Sequence, residues 1–323
     1  MLRSPSSFPV TVASRVLVGG GAGVAPRHLN PFSLSSIAMA INRLWRTLSA
    51  FNPSTRMWTP VSSRNVQSQV TQRLSLISWN IDAFSSRAVS CAKLILGHIL
   101  EGQKSPDIIF LQEVTSTVRA SLLDDARVRA AFLVTDAEDQ TSFEGVPFAT
   151  MTLLSSARFT SSLDSQKEGD GIERGGKLMF GRVSRVALPS KYRRDALCVD
   201  IIPSTTPGTI FRLINVHLDS VGDTLHYRAQ QIEILTGVLC EPGCGGGIIA
   251  GDFNAISPKD DGLLDKNNLV DAWVALHGRA GPDGATWGVG VERQDGLGPG
   301  RLDKVAMMGL KAEEMEVLRP WSY

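Results

Sequence analysis

A carboxylate and an amide, Asp252 and Asn254, follow a short apolar run in residues 245–254. The β-branched run predicts a buried strand in which Gly251 lets the backbone turn, and the two-residue spacing places both side chains on one face. A carboxylate can accept a proton from water and an amide can donate to a phosphate oxygen, so the pair suits phosphodiester hydrolysis. Taken alone, the tripeptide is more typical of an Asx turn.

Three other apolar runs also end in polar side chains: Asn80 and Asp82 end residues 74–82, Glu113 lies near the end of 106–114, and His217 and Ser220 end 211–220. Carboxylates of this kind suit a hard cation such as Mg²⁺, which takes one or two protein carboxylates and keeps several waters. The histidine and the serine can donate to a phosphoryl oxygen, although a single histidine is more often structural and acidic residues are usually solvated. Four such strand ends favour one convergent polar site.

The motifs at these strand ends resemble, in order and spacing, those of the endonuclease/exonuclease/phosphatase superfamily. They are Ser-Trp-Asn-Ile-Asp at 78–82, Leu-Gln-Glu at 111–113, Asn-Val-His-Leu-Asp-Ser at 215–220, Gly-Asp-Phe-Asn at 251–254 and Arg-Leu-Asp at 301–303. The resemblance covers residues 73 to about 305 and is specific through its order, since each motif alone would be weak. Within the superfamily, residues 194–199 and 217–220 are most similar to 5′-tyrosyl-DNA phosphodiesterases.

The resemblance implies a role for each matched residue and a substrate class of DNA 5′ ends or protein–DNA adducts. Asp82 and Glu113 match metal-binding carboxylates, with Mg²⁺ as the expected ion and Mn²⁺ as the alternative. Six residues match catalytic positions. Asn80 orients the site, and Asp252 positions or deprotonates water. Asn254 and His217 contact the phosphate, Ser220 assists, and Asp303 orients a catalytic histidine. Arg194 and Trp287 match substrate-binding positions. A ring stacked on DNA contributes roughly 1–3 kcal/mol per base, but Trp287 is equally compatible with a core position.

One motif of the family is absent from the printed sequence. Relatives follow the Arg-x-Asp strand with Ser-Asp-His, whereas here residues 320–322 lead to Tyr323. The resemblance therefore implies a shortened product or an inactive relative, and we expect activity to be reduced, because groups at a scissile phosphate act as a unit. Three hypotheses remain: a Mg²⁺-dependent phosphodiesterase of DNA repair, a nuclease or phosphatase with another phosphoester substrate, and an inactive relative that keeps a binding cleft.

The hydrophobic pattern predicts alternating strands and helices. Strands are predicted at 74–80, 107–112, 148–154, 178–186, 196–202, 210–217, 247–251 and 303–308, and helices near 86–101, 115–131, 223–240 and 267–277. Such alternation predicts a layered α/β fold. The resemblance implies a four-layer α/β/β/α sandwich of two mixed sheets with outer helices.

Charge divides the chain at about residue 72. Residues 1–72 contain seven of the 33 basic residues, all arginine, and no acid, so the remainder has 26 basic and 32 acidic residues and a net charge of −6. We therefore predict a catalytic domain at 73–323, shortened at its carboxyl end, and a largely disordered extension at 1–72. DNA contact would need a local patch, for which the candidates are Arg182, Arg185, Lys191, Arg193 and Arg194.

The composition of residues 1–72 is typical of a mitochondrial transit peptide, and an amphipathic helix is expected over 37–48. A disordered basic tail of a nuclear or cytosolic protein is the alternative. The apolar stretch 16–25 is too short and too glycine-rich to span a membrane, and a monomeric intracellular protein is expected.

Overall fold

The computed structural model describes residues 13–19, 42–64, 73–101, 105–163, 177–203, 208–279, 282–290 and 298–319, with only the backbone at 13–19. Within these ranges, one sheet of eight strands and one of seven lie face to face with helices on their outer sides. The predicted four-layer α/β/β/α sandwich is confirmed.

The first sheet has the order β15-β1-β5-β6-β8-β7-β3-β4. Its strands are β1 (Ala13–Gly19), β3 (Leu48–Asn52), β4 (Met57–Val61), β5 (Leu74–Asn80), β6 (Ile108–Val114), β7 (Phe132–Thr135), β8 (Ala149–Ser155) and β15 (Lys311–Leu318). The strands β5 and β6 are parallel, in the register Asn80 opposite Gln112. Every other pair in this sheet is antiparallel.

The second sheet has the order β13-β14-β12-β11-β10-β9-β2. Its strands are β2 (Arg43–Arg46), β9 (Met179–Ala187), β10 (Asp195–Ile202), β11 (Ile210–His217), β12 (Cys244–Asp252), β13 (Val270–Asp271) and β14 (Asp303–Met308). Here β11 and β12 are the parallel pair, with His217 opposite Asp252.

Five of the helices in the described ranges cover the outer faces of the two sheets, and the last lies beside β14 and β15. The helices are α1 (Ala88–Leu100), α2 (Ser116–Asp124), α3 (Ala126–Ala131), α4 (Leu225–Leu239), α5 (Pro258–Lys266) and α6 (Ala272–His277). Apolar residues of α1 to α3 pack on the first sheet, and those of α4 and α5 pack on the second. A third apolar cluster, including Phe110, Leu197 and Ile248, fills the space between the sheets. Apolar side chains thus hold the two sheets together, and each sheet is buried on both of its faces.

The predicted strands at 74–80, 210–217 and 303–308 have the predicted bounds, whereas several other helices and strands differ in their bounds or were not predicted. Asp125 divides the predicted helix 115–131, because its side chain accepts the backbone N–H of Arg127 and begins α3. The helix α5 was not predicted, although Ser257 and Asp260 form a capping box at its start. The strand β15 was also missed, because its alternating acidic residues are half exposed at a sheet edge.

The predicted helix over 37–48 is wrong for its described part, residues 42–48. Those residues belong to β2 and the start of β3, and β2 pairs with β9. Arg43 forms an ion pair with Glu241, and Arg46 forms one with Asp139 at 3.1 Å. These non-local contacts outweigh a local periodicity of 3.6 residues. Residues 37–41 of that prediction lie outside the described residues.

Part of the predicted disordered extension is also ordered. The strands β2, β3 and β4 supply residues to both sheets, and Leu48 is buried between the sheets. Residues 43–61 are therefore part of the sandwich. The domain boundary at residue 72 stays a prediction. No helix in the described ranges is long and apolar enough to cross a membrane.

Candidate active site

The candidate site lies where two parallel strand pairs end at one edge of the sandwich. Ligands in α/β proteins bind outside the carboxyl ends of such strands. The residues delivered here are Asn80 from β5, Glu113 from β6, His217 from β11 and Asp252 from β12, with Asp303 opposite Asp252 on β14. The structure therefore brings together five of the residues that the motifs singled out.

Asn80 joins the two sheets at this edge. Its Nδ2 donates to Glu113 Oε1 and to Asp252 Oδ2, both at 3.0 Å. Its Oδ1 accepts the backbone N–H of Asp82 at 3.0 Å, which holds the amide with its hydrogens toward the carboxylates. One amide thus positions two carboxylates that come from different sheets.

Three of the predicted site residues have left-handed backbone conformations. The φ angle is 63° at Asp82, 58° at Glu113 and 49° at Asn254. Each such conformation costs on the order of 1–3 kcal/mol and persists only where its surroundings fix it. Here side chains accept backbone N–H groups: Glu113 Oε2 from Ala83 and Asp252 Oδ1 from Asn254, each at 2.8 Å.

His217 is buried beside the carboxylates. Its Nε2 lies 3.6 Å from Asp252 Oδ2, 3.8 Å from Glu113 Oε1 and 3.3 Å from Arg194 Nη2. Its ring stacks on Phe148, with centroids 5.4 Å apart. Burial, reinforced by the positive charge of Arg194, lowers the pKa of His217 well below its ordinary value. The imidazole is therefore neutral at pH 7, and the positive charge at the site belongs to Arg194.

Buried carboxyl groups dominate the charge of the site. Burial raises the pKa of Glu113, and the negative charges of Asp252 and Asp82 raise it further. Burial likewise raises the pKa of Asp252, against hydrogen bonds from Asn254 and Asn80. The pKa of Asp303 is well above its ordinary value, because the group is buried and lies beside the charge of Asp252. These acids crowd one another and would be stabilised in their charged forms by a cation.

Glu113, His217 and Asp252 offer ligand atoms that all lie within 4.8 Å of one another. Two carboxylate oxygens and one imidazole nitrogen form a donor set that fits a divalent cation. Asp82, which was predicted as a metal ligand, is near enough to raise the pKa of Glu113, but its own carboxylate accepts the backbone N–H groups of Phe84 and Ser85. The cluster therefore differs from the predicted pair of ligands in containing His217 and Asp252.

Gly251 lies within β12 rather than at a turn beyond it. A side chain there would place its Cβ atom 1.9 Å from the carbonyl oxygen of Val216 on β11. The glycine is required because the two parallel strands approach closely just before His217 and Asp252.

The remaining predicted residues lie around the cluster. Asn254 Nδ2 donates to the carbonyl oxygen of Leu218 at 2.9 Å, so this amide ties the end of β12 to the residue after β11. Ser220 is partly exposed, and its carbonyl oxygen accepts a hydrogen bond from Thr224 Oγ1. Trp287 is partly exposed and pairs through its backbone with Gly300. The backbone N–H of Asp303 donates to Thr286 Oγ1 at 3.0 Å.

A small, open pocket lies beside His217. Its walls include Phe148, Arg193 and Arg194, and the guanidinium carbon of Arg194 lies 4.9 Å from the centre of the Phe148 ring. The motifs did not identify Phe148. A single phenylalanine three residues into an apolar segment carries no signal of its own, and its position next to His217 depends on the pairing of distant strands.

Arg185 does not belong to the predicted basic patch. Its side chain is 2% exposed and forms ion pairs with Asp136 at 2.9 Å and Asp195 at 3.0 Å. Of the other candidates, Lys191 pairs with Asp223, while Arg182 is exposed and lies over the ring of Trp45. The sequence pattern could not separate these cases, because the acidic partners of Arg185 come from other strands.

The family model for the Endonuclease/Exonuclease/phosphatase family matches residues 77–310. Solved structures with the same fold include TDP2 from C. elegans, at 19% identity and a TM-score of 0.51, with 73% of this chain and 64% of that chain covered. A humanized D. rerio TDP2 has 20% identity and a TM-score of 0.53, with coverage of 72% and 82%. D. rerio TDP2 complexed with single strand DNA product has 18% identity and a TM-score of 0.53, with coverage of 72% and 83%.

The match spans less than two thirds of the C. elegans TDP2 chain, and at these identities the structural similarity demonstrates the fold. No curated protein matches the chain. The family match covers most of the chain and includes every strand end that delivers a residue to the site. The similarity to TDP2-type structures predicted from the motifs is confirmed, and the chain belongs to the endonuclease/exonuclease/phosphatase family.

Proposed function

We propose that this protein is a metal-dependent phosphodiester hydrolase of the 5′-tyrosyl-DNA phosphodiesterase type, acting on DNA 5′ ends or protein–DNA adducts in DNA repair. Members of the family are typically hydrolases of phosphoesters. The observation that carries the proposal is the hydrogen-bonded cluster of Asn80, Glu113 and Asp252 beside His217, at the ends of both parallel strand pairs. Carboxylates, an amide and an imidazole in that arrangement are what phosphodiester hydrolysis requires.

Glu113, His217 and Asp252 are the residues that would hold a divalent cation, with Asp82 close enough to contribute charge. The fit rests on their donor atoms and on carboxyl groups whose raised pKa values reflect burial and mutual repulsion. A bound Mg²⁺ or Mn²⁺ ion would supply positive charge to the oxygens of a phosphate.

The side chains divide the work of the proposed reaction. Asp252 positions or deprotonates the attacking water. Asn80 keeps that carboxylate and Glu113 in position. Nε2 of His217 faces the two carboxylates that would hold the cation, so its Nδ1, which has no partner in the described ranges, is the nitrogen left to hydrogen-bond to the phosphate. Arg194 supplies positive charge. Asn254 lies on the phosphate side of the site, and its amide group fixes the loop after β12.

Two predicted catalytic residues and one binding residue complete the proposal. Ser220, three residues after His217, assists at the phosphate. Asp303 lies opposite Asp252, and its counterpart in the family orients a catalytic histidine. Trp287 provides a face for a DNA base. A DNA substrate is supported by the complex of D. rerio TDP2, a protein of the same fold, with single strand DNA product. The pocket beside Phe148 and Arg194 would receive the group attached to the 5′ phosphate.

The test is hydrolysis of a 5′-phosphotyrosyl oligonucleotide in Mg²⁺ and in EDTA, by the chain and by Asp252→Asn. We expect slow, Mg²⁺-dependent release of tyrosine that is lost in the variant. Parallel substrates should include abasic duplex DNA and an RNA with a 3′ tail, since preferential cleavage of either would assign a different phosphoester. Oligonucleotide binding without any turnover, in the presence of Mg²⁺, would favour the binding-only alternative.

We further propose a nuclear or mitochondrial address, on the basis of the acid-free composition of residues 1–72. A fusion of those residues to a fluorescent protein tests it, with Arg3 and Arg15 changed to Glu as the control. Localisation to mitochondria that the control abolishes would support import, and a diffuse signal throughout the cell would contradict both addresses.

A further inference from the structure

Polar side chains cross the apolar interface between the two sheets directly beneath the candidate site. Ser78, Gln112 and Asn215 are 0–1% exposed, and they lie among the apolar residues that separate the sheets. A buried polar group is costly unless its hydrogen bonds are satisfied. Each of these side chains should therefore have hydrogen-bond partners within this layer.

Gln112 and Asn215 bind each other across the interface. Gln112 Nε2, on β6, donates to Asn215 Oδ1, on β11, at 2.8 Å, and also to Ser78 Oγ, on β5, at 3.1 Å. Asn215 Nδ2 then donates to backbone carbonyl oxygens of the opposite sheet, to Met151 at 2.9 Å and to Leu111 at 3.3 Å. The Asn215 side chain of the second sheet is thereby bound to two strands of the first, β6 and β8, and through Gln112 to a third, β5.

Each residue of this bridge is one or two positions from a residue of the site. Ser78 precedes Asn80 by two residues, Gln112 immediately precedes Glu113, and Asn215 precedes His217 by two. Gly251, the residue before Asp252, faces the same bridge, since a Cβ atom there would lie 3.2 Å from Gln112 Nε2. The bridge therefore connects three of the four strands that deliver the cluster, β5, β6 and β11, and lies against the fourth, β12.

Apolar contacts between two sheets are non-directional and set no register between them to a fraction of an ångström. The site requires such precision, because Asn80 of one sheet must hold Asp252 of the other at 3.0 Å. We propose that Gln112 and Asn215 are positioning residues, which fix the two halves of the site relative to each other. For its kinetic consequence this inference rests on the proposed function, whereas its geometric consequence does not.

The test compares Asn215→Leu, Gln112→Met and the double variant with the wild-type chain. Thr160→Val is the matched control, because Thr160 is also buried and its Oγ1 donates to the carbonyl oxygen of Arg64 at 3.0 Å, away from the bridge and the site. The measurements are kcat for 5′-phosphotyrosyl oligonucleotide cleavage, KM, the urea midpoint and a crystal structure of each folded variant. Gln112→Met keeps most of the side-chain volume and serves if Asn215→Leu does not fold.

Loss of a group that orients catalytic residues typically reduces activity by about 10–100-fold. We expect each single bridge variant to lower kcat by that factor with little change in KM, and the double variant to be no worse than the poorer single variant, because one bridge is lost in each case. Thr160→Val should keep kcat within about twofold while its urea midpoint falls like that of the bridge variants. The separation of Asn80 Nδ2 and Asp252 Oδ2 should lengthen in the bridge variants alone.

A bridge variant that keeps kcat within about twofold and keeps the 3.0 Å hydrogen bond between Asn80 and Asp252 would overturn the inference. If the wild-type chain hydrolyses no phosphoester, the proposed function fails, and the Asn80–Asp252 separation in the crystal structures still decides the role of the bridge. A lengthened separation then supports positioning, and an unchanged one refutes it.

Discussion

Replacing Asp303 with asparagine should stabilise the protein at neutral pH while impairing the site. Asp303 is 6% exposed, its Oδ1 has no hydrogen-bond partner in the described ranges, and the charge of Asp252 lies beside it. An ionised carboxylate buried beside a like charge destabilises the fold, and each unit by which its pKa is raised corresponds to about 1.4 kcal/mol. Since the substitution removes that charge, we expect Asp303→Asn to raise the free energy of unfolding by about 1–3 kcal/mol at pH 7.5 in EDTA.

The sign of this effect sets its pH dependence. A carboxyl group whose folded pKa is raised takes up a proton on folding, so its penalty is absent below the unfolded pKa of about 3.9. The penalty grows as the pH rises above that value and is complete once the pH exceeds the folded pKa of Asp303. Urea unfolding at several pH values between 4 and 8 measures the difference in the free energy of unfolding between variant and wild type.

Asp265→Asn is the control, since Asp265 is 62% exposed and its substitution should change stability by less than about 0.5 kcal/mol. A difference that is independent of pH, or a less stable Asp303→Asn at pH 7.5, would refute the reasoning.

Two other substitutions test the electrostatics of the fold and the site. Arg185→Met should lower the free energy of unfolding by about 3–5 kcal/mol in urea, because it leaves the fully buried Asp136 carboxylate without its ion pair. The exposed Arg182→Met should change it by less than about 0.5 kcal/mol, and equal effects of the two would show that burial is not the cause. Glu113→Gln should weaken Mg²⁺ binding in calorimetry with the fold intact, since the swap removes a charge and little volume. Unchanged Mg²⁺ affinity would remove Glu113 from the metal site.

The sequence predicts the strand ends well, because each is a short apolar run that stops at a polar residue. The strands ending in Asn80 and His217 are read directly from that change, and the α/β alternation follows from the helices between them. The left-handed backbone at Asp82 and Glu113 has no counterpart in the pattern, since both residue types are common in ordinary loops. It follows from hydrogen bonds that form only after the strands have paired.

Non-local partners account for what the sequence does not predict. The described part of the predicted helix 37–48 forms strands, because β9 and β7 offer backbone partners that lie more than 80 residues away. Gln112 and Asn215 are visible in the sequence as polar residues within apolar strands, yet their mutual hydrogen bond depends on how the two sheets face each other. The burial of Arg185 and the stacking of Phe148 on His217 depend on the same pairing.

The central claim is that Glu113, His217 and Asp252 form one divalent-cation site at the ends of the two parallel strand pairs. The most direct measurement is the anomalous difference density of a crystal soaked in Mn²⁺, collected for the wild-type chain and for Asp252→Asn. We predict one strong peak at roughly 2.0–2.6 Å from a Glu113 carboxylate oxygen and close to Asp252, weakened in the variant. The absence of a peak there, with Mn²⁺ bound elsewhere or not at all, would contradict the claim.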